Sequence, residues 1–457
     1  MRREASPVHP GSRYCVRKLR PRVFTGGTPR HICAPRCPRG TSNNRKAALD
    51  VSLNLWGSLA LHQHHSAHGL IQALSPVEPV TLVRPHAARR AARFFIERFP
   101  GTTMYAVKAN PSADLLRVLW DSGVTHYDVA SIAEVRLVAR TLPQATLCFM
   151  HPVKAEEAIS EAYWKHGVRT FSLDTLDELE KIVRATEGAQ DLNLLVRLRV
   201  SSDHSKLSLA AKFGAEPEDV AELLMATRQA ADALGICFHV GSQAMTPHAY
   251  AQAMERVRAA IVAASVTVDI IDVGGGFPSS YPGMEPPPLD AYFDTIHRSF
   301  ESLPISYSAE LWCEPGRALS AEYSSLIVRV EKRRGEELYI NDGAYGALFD
   351  AAHVGWRFPV SLQRDAESGA ELLPFSFYGP TCDDLDHMAG PFFLPADIKA
   401  GDFIEIGMLG AYGCAMRTKF NGFGADETHV VSDEPMTSLY TGEVEQERRS
   451  ATVTKLF

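Results

Sequence analysis

The feature that most restricts the fold of this chain is a regular alternation of β-type and helix-type segments through its middle. Eight short runs rich in β-branched and aromatic residues predict strands at 103–107, 125–129, 146–150, 168–171, 192–199, 236–240, 268–273 and 306–311. The stretches between them predict helices, for example at 131–140, 175–185, 217–233 and 247–264. Such alternation is typical of parallel βαβ units, and eight units favour a TIM-type (β/α)8 barrel over an open doubly wound sheet.

The pattern changes after about residue 322, where β-type runs follow one another with Gly, Pro and Asp between them. These runs predict strands at 325–330, 337–340, 373–378 and 402–406. We therefore expect an α/β protein in which residues 80–322 form the barrel and residues 323–457 form a C-terminal β-rich domain. Residues 51–79 are expected to add a segment to that β-domain.

The first 50 residues differ in composition from the rest of the chain. Residues 1–48 contain twelve Lys or Arg against one acid, Glu4, and they lack an amphipathic period, which predicts disorder. A transit peptide, a segment that binds an anionic surface and a start site assigned too far upstream are all open, and we favour the last. Since no Met lies between Met1 and Met104, a shorter product would use another start codon, with Val51 as one candidate.

Composition argues against several classes of protein. No run of about 18 apolar residues is present, so a membrane-spanning helix is not expected. The net charge of −7 argues against a dedicated nucleic-acid binder. The Cys residues after residue 50 form no CxxC pair, which favours single thiols in a reducing cytoplasm. We interpret His62, His64, His65 and His68 as a polar surface loop rather than a metal site, because no acid or Cys lies nearby to complete one.

Two motifs that follow predicted strands carry an amine and a glycine-rich turn. In YAVKAN, Lys108 ends a strand, where low-dielectric surroundings would lower its pKa and let its amine form a Schiff base. The alternative is a lysine that simply emerges at a strand end. In DVGGGFP, residues 272–278, three glycines would let backbone N–H groups approach a phosphate, although a plain glycine turn is equally consistent.

Two further motifs supply an acid, an arginine and a histidine. In EPGR, Glu314 suits a basic ring nitrogen and Arg317 suits a phosphate, unless the two form a local ion pair. In HVGSQ, His239 could stack on a ring and the hydroxyl of Ser242 could donate to a phosphate, although a lone His is more often structural. Taken together, the four motifs describe a pyridoxal phosphate site at the carboxyl ends of barrel strands.

The order of the motifs resembles the ornithine/diaminopimelate/arginine decarboxylase family of fold-type III pyridoxal phosphate enzymes. The matching strings are YAVKAN, DVAS, KFGA, HVGS, DVGGGFP, EPGR, NDGAYG, GPTCDDLD and GAY, from about residue 80 to the last dozen residues. Residues 1–50 have no counterpart. The resemblance implies a homodimer of barrel and β-domain subunits, with two active sites at the subunit interface and pyridoxal 5'-phosphate as cofactor.

The resemblance also implies roles for individual residues. Lys108 would bind the cofactor as a Schiff base, His239 would stack on its ring, and Glu314 would pair with the pyridine nitrogen. Asp128 would support the lysine side of the site, and Arg199 would lie under the cofactor. The residues expected around the phosphate are Ser242, Gly275, Gly276, Arg317 and Tyr412.

The C-terminal motifs bear on the substrate. By the resemblance, Cys382 and Asp383 come from the partner subunit, and Cys382 returns a proton to the substrate carbon after carbon dioxide leaves. Asp383 and Asp350 would hold the distal ammonium of a diamino acid, and Tyr345 would lie at the same interface. Decarboxylation of ornithine would give putrescine for polyamine biosynthesis, and decarboxylation of lysine would give cadaverine.

Three alternatives stand beside this expectation. Diaminopimelate decarboxylases normally carry a CESSD-like string where this chain has TCDD, so the string favours a substrate that ends in a bare ammonium. Ornithine and lysine differ by one methylene. Phe349 stands where many eukaryotic members of the family have Tyr, and Asp384 stands where they usually have Gly, so the length of the substrate pocket stays open. A racemase would need a second acid or base facing Lys108. A catalytically silent regulatory homologue would not need the full set of site residues that this chain retains.

Overall fold

A computed structural model describes residues 63–209, 211–425 and 427–440. The basic extension of residues 1–50, the candidate start Val51 and His62 lie outside the described residues. The strands are β1 Gln63–His64, β2 Val80–Val83, β3 Thr102–Ala106, β4 His126–Val129, β5 Thr146–Phe149, β6 Thr170–Leu173, β7 Asn193–Arg197, β8 Ser205–Leu207, β9 Ala233–Cys237, β10 Ser242–Ala244, β11 Ile270–Asp272, β12 Glu310–Cys313, β13 Ser324–Arg334, β14 Glu337–Ile340, β15 Val360–Gln363, β16 Leu372–Tyr378, β17 His387–Pro395, β18 Phe403–Ile406 and β19 Glu427–Val431. The helices are α1 Ala67–Leu74, α2 Pro85–Arg98, α3 Ala113–Asp121, α4 Ile132–Thr141, α5 Glu156–His166, α6 Leu176–Ala185, α7 Val220–Ala230, α8 His248–Ala264, α9 Leu289–Glu301, α10 Arg317–Ser320 and α11 Phe349–His353.

Eight strands close into a barrel in the order β11-β12-β3-β4-β5-β6-β7-β9. Every neighbouring pair is parallel, as helical crossover connections require. This confirms the predicted TIM-type barrel, and each of the eight predicted runs overlaps one barrel strand. The largest difference is at the last strand, which was expected at 306–311 and begins at Glu310.

Apolar side chains from six barrel strands meet in one buried cluster. Strands of a closed barrel face one another only across its interior, so this cluster fills the barrel. Its members are Met104, Cys148, Met150, Leu195, Cys237, Ile270 and Trp312. Because the interior of the barrel is filled, the place that remains for a ligand is among the loops that follow the carboxyl ends of the strands.

The second sheet runs β1-β19-β2-β13-β14-β16-β17, and β18 pairs with both β13 and β15. One boundary differs from the expectation. We assigned residues 80–322 to the barrel, whereas β2 pairs with β13 and β19 in the second sheet. An apolar run such as Val80–Val83 indicates a buried strand but carries no information about which sheet receives it. From the 51–79 segment, β1 pairs with β19 and α1 packs beside it.

None of the helices in the described ranges is long and apolar enough to cross a membrane.

Candidate active site

Lys108 lies just after β3, on the short 3-10 turn Val107–Ala109. Its Nζ donates to Oδ2 of the buried Asp128 at 2.7 Å, at the end of the neighbouring strand β4. Burial lowers the pKa of Lys108, but the carboxylates of Asp128 and Glu314 outweigh that effect and raise the pKa above its ordinary value. This corrects the expectation of a lowered pKa, because strand position alone does not reveal the two acids beside the amine.

Glu314 and Asp272 form a buried pair of acids at the ends of β12 and β11. Oδ1 of Asp272 accepts from the backbone N–H of Gly274 at 2.9 Å. Burial raises the pKa of Asp272 to about 6. Burial and then the neighbouring carboxylates of Asp272 and Asp128 raise the pKa of Glu314 well above its ordinary value. Two acids that disfavour ionisation together suit a basic nitrogen, since a nearby cation would restore the charged form.

His239 follows β9 and presents a neutral imidazole. Its Nδ1 accepts from the backbone N–H of Gly241 at 3.0 Å, which leaves the proton on Nε2. Burial, and then the charges of Arg197 and Lys108, lower the pKa of His239 well below its ordinary value. A neutral ring held in one tautomer is suited to stacking on an aromatic ligand.

The glycine turn after β11 has room for backbone only. A Cβ on Gly275 would lie 2.8 Å from the carbonyl oxygen of Glu314 and 3.0 Å from Nε2 of His239. Gly276 has φ +104°, and a Cβ there would lie 2.6 Å from the carbonyl oxygen of Gly241, which precedes Ser242. Glycine at both positions therefore lets the turn, the histidine and the Ser242 loop come together.

Arg317 at the start of α10 is buried with unused donors. Its Nη1 donates to the hydroxyl of Tyr281 at 3.2 Å, and its guanidinium lies 4.3 Å from the ring of Trp356 and 5.0 Å from that of Tyr412. Its Nη2 lies 3.6 Å from Oδ2 of Asp350. Among the described residues, neither Nε nor Nη2 of Arg317 has a hydrogen-bond partner. Buried donors that lack partners are costly, so they fit an anion such as the cofactor phosphate.

A pocket of about 270 Å³ opens beside Lys108. Its lining includes Lys108, Asp128, His151, Arg197, Phe213 and His239. The reactive amine, the acids and the neutral imidazole are thus brought together as the sequence indicated. With the Arg317 donors and the glycine turn, this donor set fits pyridoxal phosphate.

Arg199 does not lie in this pocket. Its Nη1 pairs with Glu216 at 2.7 Å, and it lines a cavity beside helices α7 and α8. Strand β7 ends at Arg197, after which Leu198 pairs with Ala215, so the two arginines do not share a face of a strand. Of the two arginines, Arg197 and not Arg199 lines the pocket, and the charge of Arg197 lowers the pKa of His239.

Cys382, Asp383 and Tyr345 form a separate group on the β-domain. Cys382 is exposed, and its backbone N–H donates to Oδ1 of Asn421 at 3.3 Å. The Tyr345 hydroxyl donates to Asp383, and this hydrogen bond lowers the pKa of the Asp383 carboxyl. Cys382 and Asp383 line a recess of about 680 Å³ that is distinct from the Lys108 pocket.

Three residues that contact the site were not singled out from the sequence. Arg197 lay two residues from the arginine that was chosen. Asp272 begins the DVGGGFP motif, and an acid at the end of a strand could have been noted as a second carboxyl. Trp356 stacks on Arg317 from a loop without regular structure, and no sequence pattern marks it.

For the His cluster, His68 pairs with Asp365 at 3.1 Å, and within the described ranges no group of His, Cys, Asp and Glu could hold a metal ion.

Known proteins are similar to this chain in sequence and in fold. Residues 85–321 match the family model described as pyridoxal-dependent decarboxylase, pyridoxal binding domain. A lysine/ornithine decarboxylase of Selenomonas ruminantium is 30% identical over 358 residues, which are 76% of this chain and 88% of that protein. Antizyme inhibitor 2 of Xenopus laevis is 32% identical over 361 residues, 71% of this chain and 74% of that protein.

Two solved structures have the same architecture. A lysine/ornithine decarboxylase of Vibrio vulnificus complexed with cadaverine superposes with a TM-score of 0.69 at 29% identity, over 81% of this chain and 100% of that one. The arginine decarboxylase of Paramecium bursaria Chlorella virus bound to agmatine gives a TM-score of 0.71 at 26% identity, over 79% of this chain and 98% of that one. The chain therefore belongs to the family of pyridoxal-phosphate-dependent amino-acid decarboxylases.

Proposed function

We propose that this protein decarboxylates L-ornithine to putrescine, the entry into polyamine biosynthesis. The observation that carries the proposal is the Cys382–Asp383 pair on the surface of the β-domain, with Asp383 oriented by Tyr345. A carboxylate beside a thiol suits a substrate that ends in a bare ammonium and needs a proton returned to carbon. The distal carboxylate of diaminopimelate would be repelled by the carboxylate of Asp383.

The complete site is formed by two copies of the chain. The Lys108 pocket and the Cys382 recess are different surface features of one chain. The residues of the two features meet if the recess of one copy closes over the pocket of another. A C2 dimer makes this contact twice, and each of its two sites then draws on both subunits.

The residues of the chain divide the work of the reaction. Bound pyridoxal phosphate supplies an aromatic ring that accepts the electron pair released when the carboxylate leaves. Glu314, backed by Asp272, holds a proton at the pyridine nitrogen, and His239 supports the ring from one face. Arg317 binds the phosphate, and the Cys382 thiol donates the proton that replaces carbon dioxide.

Two acids recognise the distal ammonium of the substrate. Asp350 lies in the first turn of α11, where burial raises the pKa of its carboxyl although Arg317 counteracts this. Asp383 of the other copy brings a carboxylate whose pKa is lowered by Tyr345. Lysine adds one methylene to ornithine, a difference worth about 1–3 kcal/mol in a pocket, so we expect cadaverine as a minor product.

The free thiols Cys148, Cys237 and Cys313 favour a reducing, cytoplasmic setting.

A silent regulatory homologue is the second candidate, because antizyme inhibitor 2 is among the relatives. Retention of Lys108, His239, Glu314, Arg317 and Cys382 speaks against it. A protein without catalysis has no need to keep a reactive amine in contact with a buried acid.

The test is a competition between substrates. Purified protein and pyridoxal phosphate are incubated with ornithine, lysine, arginine and diaminopimelate at equal concentration, and the amines are identified by mass spectrometry. Putrescine in excess supports the proposal, and cadaverine or agmatine in excess would move the assignment to lysine or arginine. Absence of any amine, with the cofactor bound, would favour the regulatory candidate.

A further inference from the structure

Residues 432–440, here called the C-terminal strap, run from β19 across the barrel and end at Tyr440. Tyr440 is buried against Phe94 of α2, with ring centroids 5.3 Å apart. Its hydroxyl donates to the carbonyl oxygen of Ala318 at 2.8 Å. The hydroxyl of Thr437 donates to the carbonyl oxygen of Ser280 at 3.2 Å. The strap is therefore bonded to two separate segments of the barrel.

A third attachment involves the buried carboxylate of Glu322. It accepts from the hydroxyl of Ser438 at 2.8 Å and from the backbone N–H of Leu439 at 3.1 Å. Arg90 of α2 lies 3.3 Å from the same carboxylate and 2.9 Å from Glu434 of the strap. A buried acid that is satisfied by strap atoms makes release of the strap costly, since the carboxylate would lose these donors.

Asp433 of the strap also pairs with Arg84, but the three attachment points described above adjoin the residues that surround Arg317. Ala318 follows Arg317 in α10, and Glu322 lies in the turn Ala321–Tyr323 that continues this helix. Ser280 precedes Tyr281, whose hydroxyl accepts from Arg317. The strap thus contacts the helix that carries Arg317 and the segment that carries Tyr281, the hydrogen-bond partner of the guanidinium.

The guanidinium of Arg317 also contacts the rings of Trp356 and Tyr412 and lies 3.6 Å from Asp350, but the strap is bonded to the backbone of the helix that carries Arg317. Helix α10 has only four residues, and among the described residues the guanidinium has a single hydrogen bond, to Tyr281. A binding group works only within about 0.5 Å of its productive position, so a small shift of α10 would misplace the unpaired donors.

We propose that the C-terminal strap positions the phosphate-binding arginine, with Tyr440, Thr437 and Glu322 as its positioning residues. The inference concerns retention of the cofactor and is independent of which amino acid the enzyme decarboxylates. Its distinctive consequence is that strap variants weaken binding of the phosphate and not binding of the pyridine ring.

The test compares pyridoxal phosphate with pyridoxal, which lacks the phosphate, on the full-length chain. Tyr440→Phe keeps the buried ring and removes only the hydrogen bond to Ala318. We expect the dissociation constant for pyridoxal phosphate to rise about tenfold and that for pyridoxal to change by less than about twofold. Both are measured by absorbance titration, and release of cofactor from the holoenzyme should accelerate in parallel.

Tyr163→Phe is the matched control. The Tyr163 hydroxyl donates to Asp191 at 2.8 Å and contacts neither the strap nor Arg317, so loss of that bond should change neither dissociation constant. Thr437→Val tests a different point of the strap and should reproduce the selective loss even where Tyr440→Phe does not fold. Equal weakening of both ligands, or unchanged binding in both strap variants, would overturn the proposal.

Discussion

Arg197 and Arg199 are two residues apart yet have different surroundings. Arg197 lines the Lys108 pocket, whereas Arg199 pairs with Glu216 beside α7 and α8. We expect Arg197→Ala to reduce retention of pyridoxal phosphate about tenfold, because His239 loses a neighbouring charge and the pocket loses a wall. Arg199→Ala should stay within about twofold of the parent, because its partly exposed ion pair with Glu216 lies outside the Lys108 pocket and contributes little. The cofactor-to-protein ratio after gel filtration distinguishes the two, and an equal effect would restore Arg199 to the site.

Lys108 is the only amine that we place in covalent contact with the cofactor. Lys108→Ala removes the group that Asp128 orients, so the protein should lose the visible absorbance of lysine-bound pyridoxal phosphate and nearly all decarboxylation. Lys206→Ala, on the exposed strand β8, serves as the control and should keep both. An unchanged spectrum in Lys108→Ala would refute the assignment.

In the proposed reaction, Cys382 acts after carbon dioxide has left. Cys382→Ala should leave the cofactor bound but divert part of the turnover to decarboxylation-linked transamination, because the proton then reaches the wrong carbon. Cys414→Ala is the control, since burial raises the pKa of that thiol and it lies outside the Cys382 recess. Mass spectrometry of the products decides the point, and a pure amine from Cys382→Ala would count against the role.

Glu322, which accepts two hydrogen bonds from the C-terminal strap, makes the attachment of this element sensitive to pH. Burial raises the pKa of Glu322 from its usual 4.5 to about 7, so the folded chain binds this proton more tightly than the unfolded chain. The contribution of the group to stability is therefore full below about pH 4.5 and is lost as the pH rises to about 7, by about 3 kcal/mol.

The check is a series of thermal unfolding curves between pH 5 and 7.5. Glu322→Gln removes the titrating group, so its melting temperature should fall less with rising pH than that of the parent. Glu434→Gln removes the more exposed partner of Arg90 and should keep the parent slope. Parallel curves for Glu322→Gln and the parent would show that another group titrates in this range.

The elements of the barrel could be predicted because their signal is local. Each parallel strand is apolar on both faces and is followed by a helix, so the eight runs stand out from the sequence. The second sheet was predicted only in part. Strands β1, β2, β15, β17 and β19 were not predicted, and in β17 the pair Gly390 and Pro391 interrupts the pattern that marks a strand. Pairing of β2 with β13 joins distant parts of the chain, which no local pattern encodes.

The candidate active site could likewise be predicted where the signal is local and could not be predicted where it depends on contacts between distant residues. Lys108, His239 and Glu314 were found because each lies at or near the end of a predicted strand, and strand ends meet at one rim of a barrel. Asp128 was found through the resemblance of the DVAS string. Contacts across the rim were not foreseeable. The raised pKa of Lys108 depends on where Asp128 and Glu314 point, and Arg197 was confused with Arg199 because the end of β7 decides which of them faces inward.

At the scale of the whole molecule, the proposed dimer makes a prediction that no single chain can satisfy. Lys108→Ala removes the amine of one half-site, and Asp383→Ala removes the distal carboxylate of the other. Each variant alone should be nearly inactive. Random exchange of subunits between the two makes about half of the dimers mixed, and one of the two sites in each mixed dimer is intact. We therefore expect recovery of about a quarter of the parent activity, measured as putrescine formation after the proteins are mixed. Recovery absent despite exchange, verified by co-purification of differently tagged subunits, would mean that pocket and recess come from the same chain.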